Sequence, residues 1–313
     1  MVQGLGLGLY YSGGGGGSTP FVPTDLGADL LAWYDFTDAA TITGNPNVTA
    51  VADKSTNARN LTGTNNPQWD GSKITFNGTS NYLSRTSAFM YDNGGVMAFI
   101  VVKSNGTSGG GILNEGSSAG GNPQYVLSRV NNTNANDEVY GFIRNDANTT
   151  VLNSGNSLCS TVYDDTKKIV LIRDTGSMMF SYVNGYMGPS SQPYTRSATT
   201  VNRFAIGAIV RNTVSGYLAM ELSEVVIIDS DCTVAQINQV QSYLSAKHSI
   251  AVTGISILDG TERTVAKGGY PCTNNDYNPG YTRYERRSPI TIGGQDVSYI
   301  QLTYWNGYTE GVS

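Results

Sequence analysis

The sequence predicts an all-β, antiparallel fold of the sandwich or barrel kind. Short runs rich in β-branched and aromatic residues recur from Leu26 to Ile228, and Asn-Gly dipeptides, which support the two positive φ angles of tight hairpins, fall between them. No strand–helix alternation is present, which argues against a parallel α/β sheet. Composition agrees. Charged residues are 14% of the chain, against about 25% in an ordinary soluble domain, and there are 38 glycines in 313 residues, as expected of a turn-rich β-protein. A net charge of -5 disfavours a nucleic-acid partner, and the low charge content disfavours a coiled coil. Hydrophobic residues at 39%, with 20 tyrosines, are enough for a substantial core and exclude charge-driven disorder.

Residues 1–24 form a separate zone. Gly4, Gly6 and Gly8 alternate with Leu5, Leu7 and Leu9, Tyr10 and Tyr11 follow, and Gly13 to Gly17 run unbroken. Five glycines read as a tether, and Leu5, Leu7, Leu9, Tyr10 and Tyr11 as apolar anchors that order on a partner; a disordered tail is the alternative. Strands are predicted over 30–36, 96–102, 124–130, 139–144, 169–173, 178–183, 204–210 and 217–228. Tight antiparallel connections are predicted at Asn77-Gly78, Asn93-Gly94, Asn105-Gly106 and Asn184-Gly185.

One helix is specified. Thr233 and Gln236 form a capping box, Ile237, Val240 and Leu244 follow at helical spacing with Tyr243 and Ala246 near the same face, and Lys247 and His248 complement the C-terminal carbonyls. His248 therefore reads as a helix-end residue rather than a catalyst. Residues 251–313 are tyrosine-rich, with Arg283, Arg286 and Arg287 together and a strand predicted over 297–305; they read as a β-extension or partial second domain.

The chemistry available is narrow. Cys159, Cys232, Cys272 and the single His248 are too widely spaced for a zinc motif, and the cysteines read as buried or free thiols, with a Cys232–Cys272 pair left open. No apolar run approaches the ~20 residues that cross a bilayer, so no membrane insertion is expected.

Several separated stretches between residues 28 and 250 resemble the concanavalin A-like, laminin-G-type jelly-roll family. They are Leu30 to Phe36; Asp53-Lys54-Ser55 with Asn57, Asn60 and Leu61; Phe76 to Leu83; Tyr182-Val183-Asn184-Gly185; and Gly216 to Ile228 running into the helix that ends Tyr243-Leu244-Ser245-Ala246-Lys247. The resemblance implies a two-sheet antiparallel jelly-roll sandwich over residues 25–250, closed by one C-terminal helix. It says little about function, since the fold hosts lectins, glycosidases and structural modules alike.

A retaining glycosidase needs carboxylates about 5 to 5.5 Å apart, which this fold usually supplies as Glu-x-Asp-x-x-Glu on one strand. The sequence has no such arrangement, and Glu221 and Glu224, three apart, are expected on opposite strand faces. No enzyme is therefore predicted. The resemblance implies a candidate Ca²⁺ site, for which Asp35, Asp53, Asn77 and Glu224 offer oxygens; in a second reading Asp53 and Asn77 satisfy the backbone of their own turns. No other cofactor is expected. Tyr125, Tyr140, Tyr186 and Tyr194 are candidates by residue type for stacking on a sugar, and a set of tyrosines covering a sandwich face is the alternative.

A jelly roll behind a Gly-Leu leader with no secretion signal resembles bacteriophage surface proteins, such as decoration, head-fibre or tail-associated proteins. It implies a chain made in the host cytoplasm, docked on other capsid or tail proteins by its arm, and displayed on the virion exterior for host adhesion through glycan. A secreted carbohydrate-binding module and an accessory region of a cell-envelope hydrolase are the alternatives. No heptad or interface pattern selects an oligomeric state, so a homo-oligomer stays open.

Overall fold

The computed structural model describes residues 20–104, 109–131, 138–153, 158–159, 162–253, 290–292 and 295–297. The predicted anchors Leu5, Leu7, Leu9, Tyr10 and Tyr11, Cys272, the arginines 283, 286 and 287, and the Asn105-Gly106 pair at which a tight connection is predicted lie outside them. The chain divides into two compact units, Met1–Ile257 and Leu258–Ser313.

In the first unit the strands run, in chain order, β1 Leu30–Asp35, β2 Ile42–Thr43, β3 Ala50–Val51, β4 Leu61–Thr64, β5 Gln68–Trp69, β6 Ile74–Asn77, β7 Tyr82–Arg85 and β8 Val96–Lys103. They continue as β9 Gly110–Gly116, β10 Gln124–Asn131, β11 Glu138–Arg144, β12 Thr150–Asn153, β13 Lys168–Asp174, β14 Met178–Val183 and β15 Tyr186–Pro193. The last are β16 Arg203–Ile206, β17 Ile209–Val210, β18 Val214–Ser215 and β19 Ala219–Asp229, before helix α1, Val234–His248. In the second unit a short hairpin pairs β20 Ile290–Ile292 with β21 Gln295–Val297; most of the strand predicted over 297–305 lies outside the described residues.

The protein is a two-sheet antiparallel sandwich. One sheet orders β15-β14-β13-β8-β19-β6-β5, with β1 also paired to β19; the other orders β12-β11-β10-β9-β16-β7-β4-β3-β2. Between the sheets lies a core that includes Tyr34, Phe76, Ile100, Tyr125, Ile172, Phe204 and Ile227. A second core, with Trp33, Phe99, Leu171 and Val226, lies on the other face of the first sheet beneath Ile237, Val240 and Leu244 of α1. That sheet is thus buried on both faces. This explains why β8, β13 and β19 read as near-continuous apolar runs rather than alternating ones.

Helix α1 starts where its capping box predicts. The Thr233 side chain accepts from Gln236 N, and the Gln236 side chain accepts from Thr233 N at 2.8 Å. Its buried face differs from the expected one at two residues: Gln241 is buried and Ala246 exposed. The Gln241 amide turns inward to donate to the Thr253 carbonyl.

Of the described Asn-Gly pairs, only Asn184-Gly185 (φ 49° and 86°) closes a hairpin, β14–β15. Asn77-Gly78 instead carries the chain from one sheet to the other, because β6 pairs with β19 and β7 with β16 and β4. Asn93-Gly94 lies in the turn that leads into β8. The strand predicted over 204–210 breaks at Gly207 (φ 91°), where a Cβ would stand 2.7 Å from the Phe76 ring. The break folds the β17–β18 hairpin onto the second sheet, where Val210 N donates to Asn114 Oδ1 at 2.6 Å.

Candidate functional site

Among the described residues, carboxylates and cations meet where β1, β19 and the end of α1 come together. Asp35 stands directly opposite Glu224 in the β1–β19 register. The Glu224 carboxylate is fully buried and accepts from Trp33 Nε1 at 2.7 Å and Tyr243 OH at 3.0 Å. Lys247 Nζ at 2.8 Å and His248 Nε2 at 2.7 Å complete its surroundings. Asp35 pairs with Lys247 at 2.7 Å and Lys54 at 3.3 Å and accepts from Thr37 Oγ1 at 2.7 Å. Burial alone would raise the Asp35 pKa, but the Lys247 and Thr37 hydrogen bonds and the two ammonium charges hold it below the usual carboxylate value. Burial and the Glu224 carboxylate push the Tyr243 hydroxyl upward.

The predicted Ca²⁺ set does not assemble. Asp35 and Glu224 do meet, but Lys247 bridges both, so an ammonium occupies the place a cation would take. Asp53 ties its own loop to β1, accepting from Ser55 N and Arg59 N of the loop and from Trp33 N of β1, at 2.8–2.9 Å. Asn77 Oδ1 accepts from Thr79, Ser80 and Asn81 N, stabilising the turn between the sheets. Among the described residues no group of three or more His, Cys, Asp or Glu side chains could hold a metal ion.

The tyrosines also require correction. Tyr125, Tyr140 and Tyr194 are 0%, 5% and 8% exposed and present no face for stacking. Tyr125 OH and Tyr194 OH instead both donate to Asp174 Oδ2, at 2.7 and 2.9 Å, joining the two sheets through a buried carboxylate. Burial raises the Asp174 pKa, and the two phenol hydrogen bonds oppose the rise. Tyr186, at the tip of the β14–β15 hairpin beside the half-exposed Met187, is the one member of the set on the surface, 68% exposed.

Glu221 and Glu224 lie on the same face of β19, not on opposite ones. A bulge between Leu222 and Glu224 shifts the register by one residue, so Glu224 follows Glu221 outward while Leu222 and Val225 both enter the inter-sheet core. The two carboxylates nonetheless have separate partners, Glu221 taking Lys73 at 2.9 Å.

No family model and no curated protein matches this sequence. Solved structures do. A Trypanosoma rangeli sialidase in complex with sialic acid matches at TM-score 0.49 and 15% identity, over 72% of this chain and 34% of the sialidase. The binding domain of botulinum neurotoxin serotype D matches at TM-score 0.48 and 12% identity, over 69% of this chain and 52% of that domain. The chain thus spans about a third and about half of their respective lengths.

Sequence reasoning missed three features. His248 does end the helix, but its ring is turned inward onto Glu224; the i, i+4 spacing of Leu244 and His248 was the available signal. Glu115, in a strand hidden by its glycines, is wholly buried and accepts from three consecutive backbone N–H groups. The third is an open, mostly apolar groove in which Phe21 and Val22 run beside Ala235, Gln239, Tyr243 and Ala246 of α1. Cys232 is a free, buried thiol, pushed up to about 12 by burial.

Proposed function

We propose that the chain is a non-enzymatic, lectin-like display domain, attached to a bacteriophage virion through its leader and meeting cell-surface glycan with the sandwich. The observation that supports the non-enzymatic part is the engagement of its buried carboxylates. Glu224 has four side-chain partners, Glu115 three backbone donors, Asp174 two phenols and a backbone N–H, and Asp35 two ammonium groups and a hydroxyl. A carboxylate held in this way is neither an available base nor a nucleophile. The attachment reading rests on the Leu and Tyr pattern of residues 5–11 and on the place where the chain joins the sandwich, Phe21 and Val22 alongside α1.

The test has two arms. Deleting residues 1–19, which spares the packed Phe21 and Pro23, is expected to abolish incorporation into particles and leave the unfolding transition of the sandwich unchanged. Normal incorporation would refute the arm. In the second arm the purified chain is incubated with a glycan panel; retention without release of new reducing ends is expected, and catalytic release would refute the non-enzymatic reading.

A further inference from the structure

The outer face of the second sheet carries an arginine row that no ion pair neutralises among the described residues. In the strand register Arg144 of β11 lies opposite Gln124 of β10, Gln124 opposite Gly116 of β9, and Gly116 opposite Arg203 of β16. Directly opposed residues of antiparallel strands share a face, so Arg144, Gln124 and Arg203 project together, away from the core that takes Tyr125 and Ile143. Gly116 leaves the gap in the row, and the β17–β18 hairpin fills it. A Cβ on Gly116 would stand 1.8 Å from the Val210 carbonyl oxygen, and Arg211 comes next in the hairpin. Three guanidinium groups therefore converge on one shelf.

Their bonding leaves a surplus of donors. Arg144 donates through Nε to Asn122 O at 2.6 Å and through Nη2 to Gly121 O, and Arg211 shares that Gly121 carbonyl from 3.4 Å. With its amide oxygen turned toward them, Gln124 accepts from Arg144 Nη2 at 3.3 Å and from Arg211 Nε and Nη1 at 2.9 and 3.2 Å. Arg211 also donates to Ser215 Oγ at 3.0 Å, and Arg203 Nη1 donates to the Arg211 carbonyl at 3.0 Å. Every acceptor on the shelf is neutral. Asp146, the carboxylate nearest Arg144 in sequence, is held by Thr200 through N at 2.7 Å and Oγ1 at 2.8 Å. Burial lowers the Arg144 pKa, and the neighbouring Arg211 charge lowers it further. Beside the row, Phe142 is half-buried on the same face, with the Arg144 guanidinium 5.9 Å from its ring centre.

We propose that this shelf binds the oxyanion of an acidic saccharide, with Arg144, Arg211 and Arg203 on the anion and Phe142 beneath the sugar ring. Guanidinium groups match carboxylate and phosphate oxygens through paired N–H donors, and an aromatic ring gives an apolar sugar face a platform. A uronic-type carboxylate and a sugar phosphate share this chemistry. The proposal rests on the carbohydrate-binding reading above.

The test is calorimetric titration of the intact chain with trigalacturonate, inorganic phosphate and neutral maltotriose, each at low and high salt. Trigalacturonate or phosphate is expected to bind at least tenfold more tightly than maltotriose, more weakly at high salt, and at least tenfold more weakly to Arg144→Gln and Arg211→Gln. The tighter of the two anions assigns the source as carboxylate or phosphate. An unchanged unfolding midpoint shows that the variants fold, and Arg203→Gln serves as a third variant if either does not. Equal affinity for charged and neutral probes, or binding untouched by the substitutions, overturns the shelf. Maltotriose binding alone would do so while leaving the carbohydrate reading standing. Phosphate binding lost in the variants, with no saccharide bound, would keep the oxyanion shelf and refute the carbohydrate reading.

Discussion

Glu115 offers a sharp test of the electrostatics inside the sandwich. Its carboxylate has no exposed surface and accepts from the backbone N–H groups of Phe89 at 2.5 Å, Met90 at 2.7 Å and Tyr91 at 2.8 Å. Burial raises its pKa from 4.5 to about 7, and the three N–H groups limit the rise because they favour the charged form. In the unfolded chain this carboxyl loses its proton near 4.5, while in the folded protein it keeps it to about 7. The folded state therefore binds more protons between those values. The stabilisation is complete below about pH 4.5 and is lost as the pH rises through about 7, by about 3 kcal/mol.

Urea unfolding from pH 4 to 8.5, on the natural chain and on Glu115→Gln, measures this. Glutamine does not titrate, and its NH₂ would face a backbone donor, so the variant carries a pH-independent cost of about 1 to 3 kcal/mol. The stability of the natural chain minus that of the variant should fall by about 3 kcal/mol between pH 4 and 8.5, so that the variant equals or overtakes the natural chain at the alkaline end. Other carboxylates cancel in that difference. A constant difference across the range would show that the three N–H groups, not burial, control the charge state, and would refute the reasoning.

Three further outcomes are expected. Glu224→Leu leaves Lys247 and His248 beside an apolar side chain and should cost about 3 to 5 kcal/mol in chemical denaturation, with faster amide exchange across residues 234–248. Tyr194→Phe removes one phenol from the buried Asp174 and should cost about 1.5 to 3 kcal/mol by thermal unfolding; an unchanged midpoint would mean that the hydrogen bond adds nothing. Gly116→Ala places a methyl group 1.8 Å from a backbone oxygen and should displace the β17–β18 hairpin at a cost of about 1 to 3 kcal/mol, seen as shifted amide resonances at residues 209–215.

The fold was readable where local chemistry dictates local structure. The Thr233–Gln236 capping box, the αL-tolerant Asn184-Gly185 pair and the apolar runs of β8, β13 and β19 each needed only neighbouring residues to form as expected. The site was less readable because its contacts are distant in the chain. Trp33 meets Glu224 across 191 residues, and Tyr125 meets Asp174 across 49, so a tyrosine that looks free by type is already bonded. Two errors arise from single backbone events. The bulge beside Glu224 reverses the face that strict alternation assigns, and the Asx turn at Asn77 sends a hairpin dipeptide across to the other sheet. β9 is not legible in the sequence because Gly110, Gly111 and Gly116 lower strand propensity, yet two of them sit where a Cβ would meet a carbonyl oxygen at 2.3 and 1.8 Å.

The sheet covered on both faces gives the first unit a polarity. Helix α1 and the entry at Phe21 lie on one flank, and the β17–β18 hairpin with its arginine row lies on the other. Two sheets about 10 Å apart stand between them. Under the attachment proposed above, a chain held from the Phe21 side would present the arginine face outward. Substitutions around α1 and substitutions along 120–124, 144 and 203–213 would then act on separate surfaces, with a core between them that neither set needs to disturb.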